Sequence, residues 1–234
     1  MVRTARIGLI GGLSWEATAC YYRYFNQFHT GPSPWSQPPV VIDSLDMADV
    51  VAHQRADDWE ATGRLLSDAA RRLVAGGASV LGIGANTMHR NYDDVRDAVS
   101  CRVVDIRACV AEEVVARGGN GVGLLGTKYV IEQDFYSHGI EEHGVGVVTP
   151  DATATTELQR IIFDELTQGI LREESRDTLL EIGASLIARG ADAVGLCCTE
   201  FGLLIDEDAA PFAVVDSTKA HVRALLGVLD EQRA

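Results

Sequence analysis

Short apolar runs alternate along this chain with longer stretches whose apolar residues recur at helical spacing. Residues 5–10 read as a first strand that ends on Gly11-Gly12. Residues 15–28 read as a helix opened by Ser14, a residue type whose hydroxyl accepts a first-turn N–H. A proline-rich turn at 32–39 leads into a second strand at 40–42. Residues 59–74 are helical and stop at Gly76-Gly77. A third strand follows at 79–84, a short fourth at Val103-Val104, and a helix at 106–116 closed by Arg117-Gly118-Gly119. From residue 121 a similar programme begins: a strand at 121–125 ending in Gly126-Thr127, a helix at 131–142 and a strand at 145–148. Helical stretches lie near 154–167 and 172–189. A strand at 191–196 runs into Cys197-Cys198-Thr199-Glu200, and a strand at 212–215 and a helix at 218–229 close the chain.

Strands separated by helices imply parallel sheets joined by right-handed crossovers. The halves also echo each other: IGLIGG at 7–12 is similar to VGLLGT at 122–127, and SVLGIGANTM at 79–88 to AVGLCCTEFG at 193–202. The expected fold is α/β, with two pseudo-symmetric lobes, each a mainly parallel sheet flanked by helices, and an active site in the cleft between them. Residues 1–105 plus 212–234 are assigned to the first lobe and 106–211 to the second.

Charge and composition narrow the function. A net charge of −14 disfavours a nucleic acid partner, because few cations are present to displace its counterions. It does not exclude a small acidic ligand, which a local set of N–H groups can hold. The five cysteines are odd in number, two are adjacent, and no spacing matches a zinc site or a redox Cys-x-x-Cys pair. That usage suits a reducing compartment and a cytoplasmic protein. The opening MVRTARIGLIGGLSWE places arginines before an apolar run, but the run is short and gives way to Ser14, Trp15 and Glu16, so it reads as a strand. No apolar stretch is long enough to span a membrane.

The candidate motifs each have a structural alternative. The turn at Gly11-Gly12 lacks the G-x-G-x-x-G spacing of a dinucleotide site; it is a tight turn that needs glycine, and with Ser14 it can present N–H groups to a carboxylate. Asn86 and Thr87 follow a buried strand directly, where polar groups either bind a ligand or cap a helix. Cys198 sits at a strand end and enters what should be a helix N-terminus, which would stabilise its thiolate; Cys197 extends the apolar run and reads as packing. His138 and His143 lack a metal-ligand pattern, a G-x-S-x-G elbow is absent, and the acidic pairs 57–58, 93–94 and 173–174 read as solvated faces.

GGLSWEAT at 11–18 followed by Tyr21-Tyr22, NTMH at 86–89, LLGTKYVIEQDFY at 124–136 and CTEFGLL at 198–204 together resemble the cofactor-independent aspartate/glutamate racemases; ELTQG at 165–169 and VVDSTKAH at 214–221 fit more loosely. The resemblance covers nearly the whole chain in order. It implies a pseudo-symmetric fold without cofactor or metal, a homodimer, and a small acidic amino acid or related carboxylate as substrate. It also implies two cysteines, one per lobe, that remove and return the α-proton from opposite faces; a thiol suits this because its pKa lies near neutrality. Cys198 takes the second-lobe position. Asn86, Thr87, Thr127 and Thr199 are placed as anion-stabilising donors, with Gly12 and Ser14 beside them. Gln54, Arg55 and Lys128 are candidates for a substrate carboxylate. Glu200 and His89 would orient or tune the thiol, and Asp216 and His221 would tie the last helix to the first lobe.

Three departures from the family pattern matter. The position before Asn86-Thr87, usually Cys and sometimes Thr, is Ala85, which cannot carry a proton. Val130 replaces a second threonine of the GT-x-x-T turn, and Thr167-Gln168 precede Gly169 where some aspartate racemases have a basic residue. Three readings follow: an acidic amino-acid racemase made atypical by Ala85, single-cysteine carbanion chemistry of the arylmalonate decarboxylase type with Cys198 as proton donor, or a non-catalytic binder of a small carboxylic acid.

Overall fold

The computed structural model describes residues 5–233. Contacts divide the chain into two compact units, Met1–Asp105 with His221–Ala234, and Ile106–Ala220. In the first unit the order is β1 (Ile7–Gly11), α1 (Trp15–Phe28), β2 (Val40–Ser44), α2 (Met47–Arg55), α3 (Trp59–Ala75), β3 (Val80–Ile83), a 3-10 turn at Thr87–Asn91, α4 (Tyr92–Ala98) and β4 (Arg102–Val104). The second unit runs α5 (Ile106–Ala116), β5 (Gly121–Gly126), α6 (Lys128–Glu132), α7 (Asp134–Glu141), β6 (Gly146–Val148), α8 (Ala152–Asp164), a 3-10 turn at Leu166–Gln168, α9 (Glu173–Ala188), β7 (Ala193–Cys197), a 3-10 turn at Phe201–Leu203 and β8 (Val214–Asp216). The last helix, α10 (Ser217–Glu231), starts in the second unit and from His221 onward belongs to the first.

Both sheets have four parallel strands, and both follow the same order, β2-β1-β3-β4 and β6-β5-β7-β8. The echo between the halves therefore extends to topology: β1 and β5 are the central first strands, β3 and β7 their inner partners. Every residue of β1, β3, β5 and β7 is buried. Helices covering both faces explain why these strands read as continuous apolar runs without alternation.

The helices bury one stripe each. In α1, Ser14 caps the start by accepting from Ala17 N at 3.3 Å, and Ala17, Cys20, Tyr21 and Phe25 face inward. In α3 the cap is Asp58, and Leu66 and Leu73 are fully covered, each stabilising by about 1.5–3 kcal/mol through burial.

The structure differs from the sequence expectation at four places. The last strand, assigned above with 212–234 to the first lobe, pairs with β7, so the division falls after Ala220 instead of after residue 211. The repeat supplies the reason, because β8 fills the edge that β4 fills in the first sheet. The helix expected over 131–142 is two helices parted by an extended Gln133, a break across which the apolar spacing continues. Helix α2 has only Val50 buried and so lacks an amphipathic signature. Helix α4 has seven residues, and Val95 is its only buried one.

Candidate functional site at the carboxyl ends of the strands

In the second unit the register pairs Gly126 with Cys197 and Leu196 with Asp216. The residues that follow the strands, Thr127, Cys198 and Ser217, therefore leave the sheet side by side at its carboxyl edge. Cys198 is buried, and its Sγ donates to Oε2 of Glu200 at 3.2 Å. The Thr199 hydroxyl donates to the same oxygen at 2.6 Å. Glu200 is itself buried.

This environment corrects the expectation of a thiolate stabilised by a helix N-terminus. The chain after Cys198 forms only the three-residue 3-10 turn Phe201–Leu203, too short to sum peptide dipoles along an axis. Burial, and next the Glu200 carboxylate, push the Cys198 thiol well above its ordinary value. Cys198 rests as a protonated thiol. Cys197 points into the core of Val110, Tyr136 and Val215, where burial pushes it up to about 12 and leaves it a packing residue.

The other residues proposed for this edge are engaged in different ways. Thr127 caps α6, accepting from Val130 N at 3.4 Å. Thr199 has given its one hydroxyl hydrogen to Glu200, so it has none to offer a substrate carboxylate. Lys128 is exposed; its Nζ lies 5.2 Å from the Tyr129 ring centroid, and its backbone N–H donates to Gln159. Asp216 accepts from Lys219 N at 3.0 Å at the start of α10, and burial pushes its carboxyl up to about 6. Beside it, Lys219 Nζ and Glu207 pair at 2.7 Å.

In the first unit Ile10 pairs with Ile83, which brings Gly11-Gly12 next to Gly84-Ala85 at the carboxyl edge. Gly12 has φ 71°, and a Cβ there would collide with the Leu45 backbone, so the turn requires glycine. Its N–H, expected to face a carboxylate, donates to Thr18 Oγ1 at 2.9 Å, and the Ser14 hydroxyl is occupied as the α1 cap.

The Ala85 carbonyl accepts from His89 Nδ1 at 2.9 Å, and the Asn86 carbonyl accepts from His89 N at 3.0 Å. His89 thus closes the turn that carries Ala85, the buried Asn86 and the half-buried Thr87. Behind it, the His221 ring lies edge-on to His89 with centroids 5.7 Å apart. His221 Nε2–H donates to the Val104 carbonyl at 3.0 Å, which leaves Nδ1 to accept from the Tyr21 hydroxyl at 2.8 Å. Burial, and next His89, hold His221 down to about 3. Sequence reasoning gave Tyr21 no role in this network; its local signals are a place on the inner stripe of α1 and in the motif that opens the chain. Gln54 Nε2 lies 3.9 Å from Met88 Sδ, while Arg55 is the exposed last residue of α2.

Among the described residues, no helix is long and apolar enough to cross a membrane. No group of three or more His, Cys, Asp or Glu side chains among them is arranged to hold a metal ion.

A family model described as Asp/Glu/hydantoin racemase matches residues 10–225. A crystal structure of a candidate Asp/Glu racemase from Yersinia pestis shares 35% identity, covering 96% of this chain and 99% of that one, with a TM-score of 0.85. An aspartate racemase homologue from Pyrococcus horikoshii shares 33% identity over 96% and 99% of the two chains, with a TM-score of 0.83. The Gly74Cys mutant of arylmalonate decarboxylase is similar in fold, at 17% identity, coverage of 95% and 93%, and a TM-score of 0.58.

Proposed function

Because the chain belongs to the Asp/Glu/hydantoin racemase family, we propose that it acts without a cofactor on the α-carbon of aspartate or glutamate, with Cys198 as the group that exchanges a proton there. The observation that carries this reading is the buried Cys198 thiol at the carboxyl end of β7, next to the capping Thr127 and in contact with a carboxylate. A buried sulfur held against a carboxylate is a proton carrier of defined direction, whereas Cys197, one residue earlier, packs into the core against Tyr136.

The chemistry asks for two things. An α-hydrogen is very weakly acidic, so donors must stabilise the carboxylate as its carbanion forms. Thr127 serves that need in the second unit, and Asn86 and Thr87 are assigned the same task on the family resemblance alone. Inversion also needs a proton carrier on each face of the carbon. Ala85 offers only a methyl group where the family has Cys or Thr, so the protein exchanges the α-proton on the Cys198 face and inverts slowly or not at all. The same resemblance carries a homodimer, which sedimentation equilibrium checks.

A second reading is favoured by a specific observation. A thiol held protonated by burial and a neighbouring carboxylate is a ready donor to an enolate, as a single-cysteine decarboxylase of the arylmalonate type requires.

Proton NMR in heavy water with L- and D-aspartate and glutamate, on the protein and on Ala85→Cys, tests both. Exchange of one enantiomer without inversion, with inversion gained in Ala85→Cys, supports the first reading. Exchange with inversion in the unaltered protein means that another group serves the Ala85 face. No exchange by either protein sinks the amino-acid assignment, and carbon dioxide release from an arylmalonate then decides for the second reading.

A further inference from the structure

An acidic amino acid carries a second carboxylate, and a site that prefers it to a neutral amino acid needs a cation without a closer partner. Most cations of the second unit are engaged. Arg107 donates to the Phe135 carbonyl at 2.8 Å, and Arg189 donates to the Thr149 carbonyl at 2.7 Å. Arg117 pairs with Glu113 and Lys219 with Glu207, each at 2.7 Å. Arg160 is held by both oxygens of Glu157 at 3.0 Å and by Glu165 at 2.6 Å. Lys128, Arg172 and Arg176 remain, and Lys128 has its ammonium over the Tyr129 ring.

The path of the chain between α8 and α9 separates these three. Just before α8 begins, the Thr149 carbonyl meets Arg189 at the end of α9, where the chain is about to enter β7. Further along α8, Gln159 accepts from the Lys128 N–H at 3.1 Å, level with the carboxyl end of β5. The helix continues to Asp164 at about 1.5 Å per residue, so residues 165–172 stand past that edge. Leu166 roots this loop in the same core as Cys198 and Phe201. Gly169, at φ 74°, reverses the chain, and the Glu165 carbonyl accepts from Gln168 N and Ile170 N, both at 3.0 Å. Thr167 and Gln168 turn their side chains back to the Phe163 carbonyl, at 3.1 and 3.2 Å. Arg172 ends the loop with its side chain more than half exposed, 3.9 Å from a Glu165 carboxylate that already accepts from Arg160 and, at 2.5 Å, from the Ser175 hydroxyl. Arg176 lies one turn further along α9, which descends from the edge towards β7.

We propose that Arg172 binds the side-chain carboxylate of the substrate and so sets the preference for a dicarboxylic amino acid over its neutral amide. This rests on the reading of aspartate or glutamate as substrate. A guanidinium gives two parallel N–H bonds to a carboxylate, whereas an amide offers it one acceptor oxygen and an NH2 group that repels it. The contact with Glu165 is long and open to solvent on the arginine side, so it is weak and readily exchanged for a substrate carboxylate. Glu165 is a positioning residue: through Arg160 and Ser175 it ties α8 to α9 and fixes both ends of the loop that carries Arg172.

Isothermal titration calorimetry on the full-length protein tests this without relying on turnover. Both enantiomers of aspartate and glutamate are compared with those of asparagine and glutamine, for the parent, Arg172→Gln, Arg172→Lys, Arg176→Gln and Lys128→Gln. Arg172→Gln is expected to reduce the preference for acid over amide at least about tenfold, by weakening the acids and leaving the amides unchanged. Arg172→Lys should keep part of the preference, because it keeps the charge but not the planar pair of donors. Arg176→Gln and Lys128→Gln should behave as the parent. A purely structural role for Arg172 would weaken acids and amides alike, and that result overturns the proposal. So does an unchanged preference in Arg172→Gln, its loss in Lys128→Gln, or a parent that binds acid no better than amide. Preference that depends on Arg172, with no exchange in the NMR assay, leaves Arg172 as the reader of the acid and removes the catalytic reading. Exchange with a preference indifferent to Arg172 reassigns Arg172 alone.

Discussion

His221 and Asp216 are buried groups displaced in opposite directions, and their effects on stability can be separated. His221 gives Nε2–H to the Val104 carbonyl, receives the Tyr21 hydroxyl on Nδ1, and faces the edge of His89, so a second ring proton would bring a charge into a fully buried site beside another histidine and displace the Tyr21 hydroxyl hydrogen. Its folded value of about 3 lies below the ordinary 6.5, so its contribution is present above pH 6.5 and is lost as pH falls towards 3. Going from about pH 8 to about pH 5, the unfolded chain takes up this proton and the folded one does not, a loss of about 2 kcal/mol. Asp216 runs the other way. Its folded value is raised from 3.8 to about 6, so its contribution is present below 3.8 and is lost as pH rises through 6. Over the same interval it returns about 1.4 kcal/mol on acidification. The two nearly cancel in the parent protein. Urea unfolding followed by far-ultraviolet circular dichroism at about pH 8 and about pH 5 separates them. Relative to the parent, His221→Gln should gain about 2 kcal/mol on acidification and Asp216→Asn should lose about 1.4 kcal/mol, whatever each substitution costs at neutral pH. Stability curves parallel to the parent's within about 0.5 kcal/mol would refute the linkage reasoning for that residue.

Other expectations concern the site and its supports. The α-proton exchange rate should rise with pH, about tenfold per unit below the Cys198 midpoint, because only the thiolate accepts a proton; a flat profile in the NMR assay excludes a thiolate base. Cys198→Ser should reduce exchange by at least about a hundredfold. Cys197 should remain unlabelled by iodoacetamide in the folded protein at neutral pH, since its thiol is buried and pushed up to about 12; label on Cys197 in peptide maps would contradict its packing role. Gly12→Ala should destabilise by about 1–3 kcal/mol in urea, because φ 71° is strained for alanine and its Cβ meets the Leu45 backbone; an unchanged midpoint would show that the turn adopts another conformation.

Much of the architecture is legible in the chain before any coordinates. Apolar runs at 7–11, 80–83, 121–126 and 193–197 are continuous because their strands are covered on both faces, and the glycines and caps that bound them are local signals. The echo between 7–12 and 122–127, and between 79–88 and 193–202, anticipates two sheets of identical strand order. Motif order alone likewise singles out Ala85, which the structure places beside Gly11-Gly12 at the carboxyl edge of the first sheet.

The chain alone, then, carries the principal strands, the amphipathic helices and the family it resembles, whereas α2 and α4, each with one buried residue, leave no such signal. Tertiary structure decided the rest. Only strand pairing could assign β8, since a three-residue strand has no local preference between two sheets of the same kind. Only packing could select Tyr21, 200 positions away in sequence from His221, as that ring's hydrogen-bond partner. Cys198 shows the same limit: a strand end followed by Thr-Glu looks like a helix entry, which would lower the thiol. In the folded chain it is a buried turn in which Glu200 folds back on the sulfur, and burial together with that one contact reverses the sign of the expected shift.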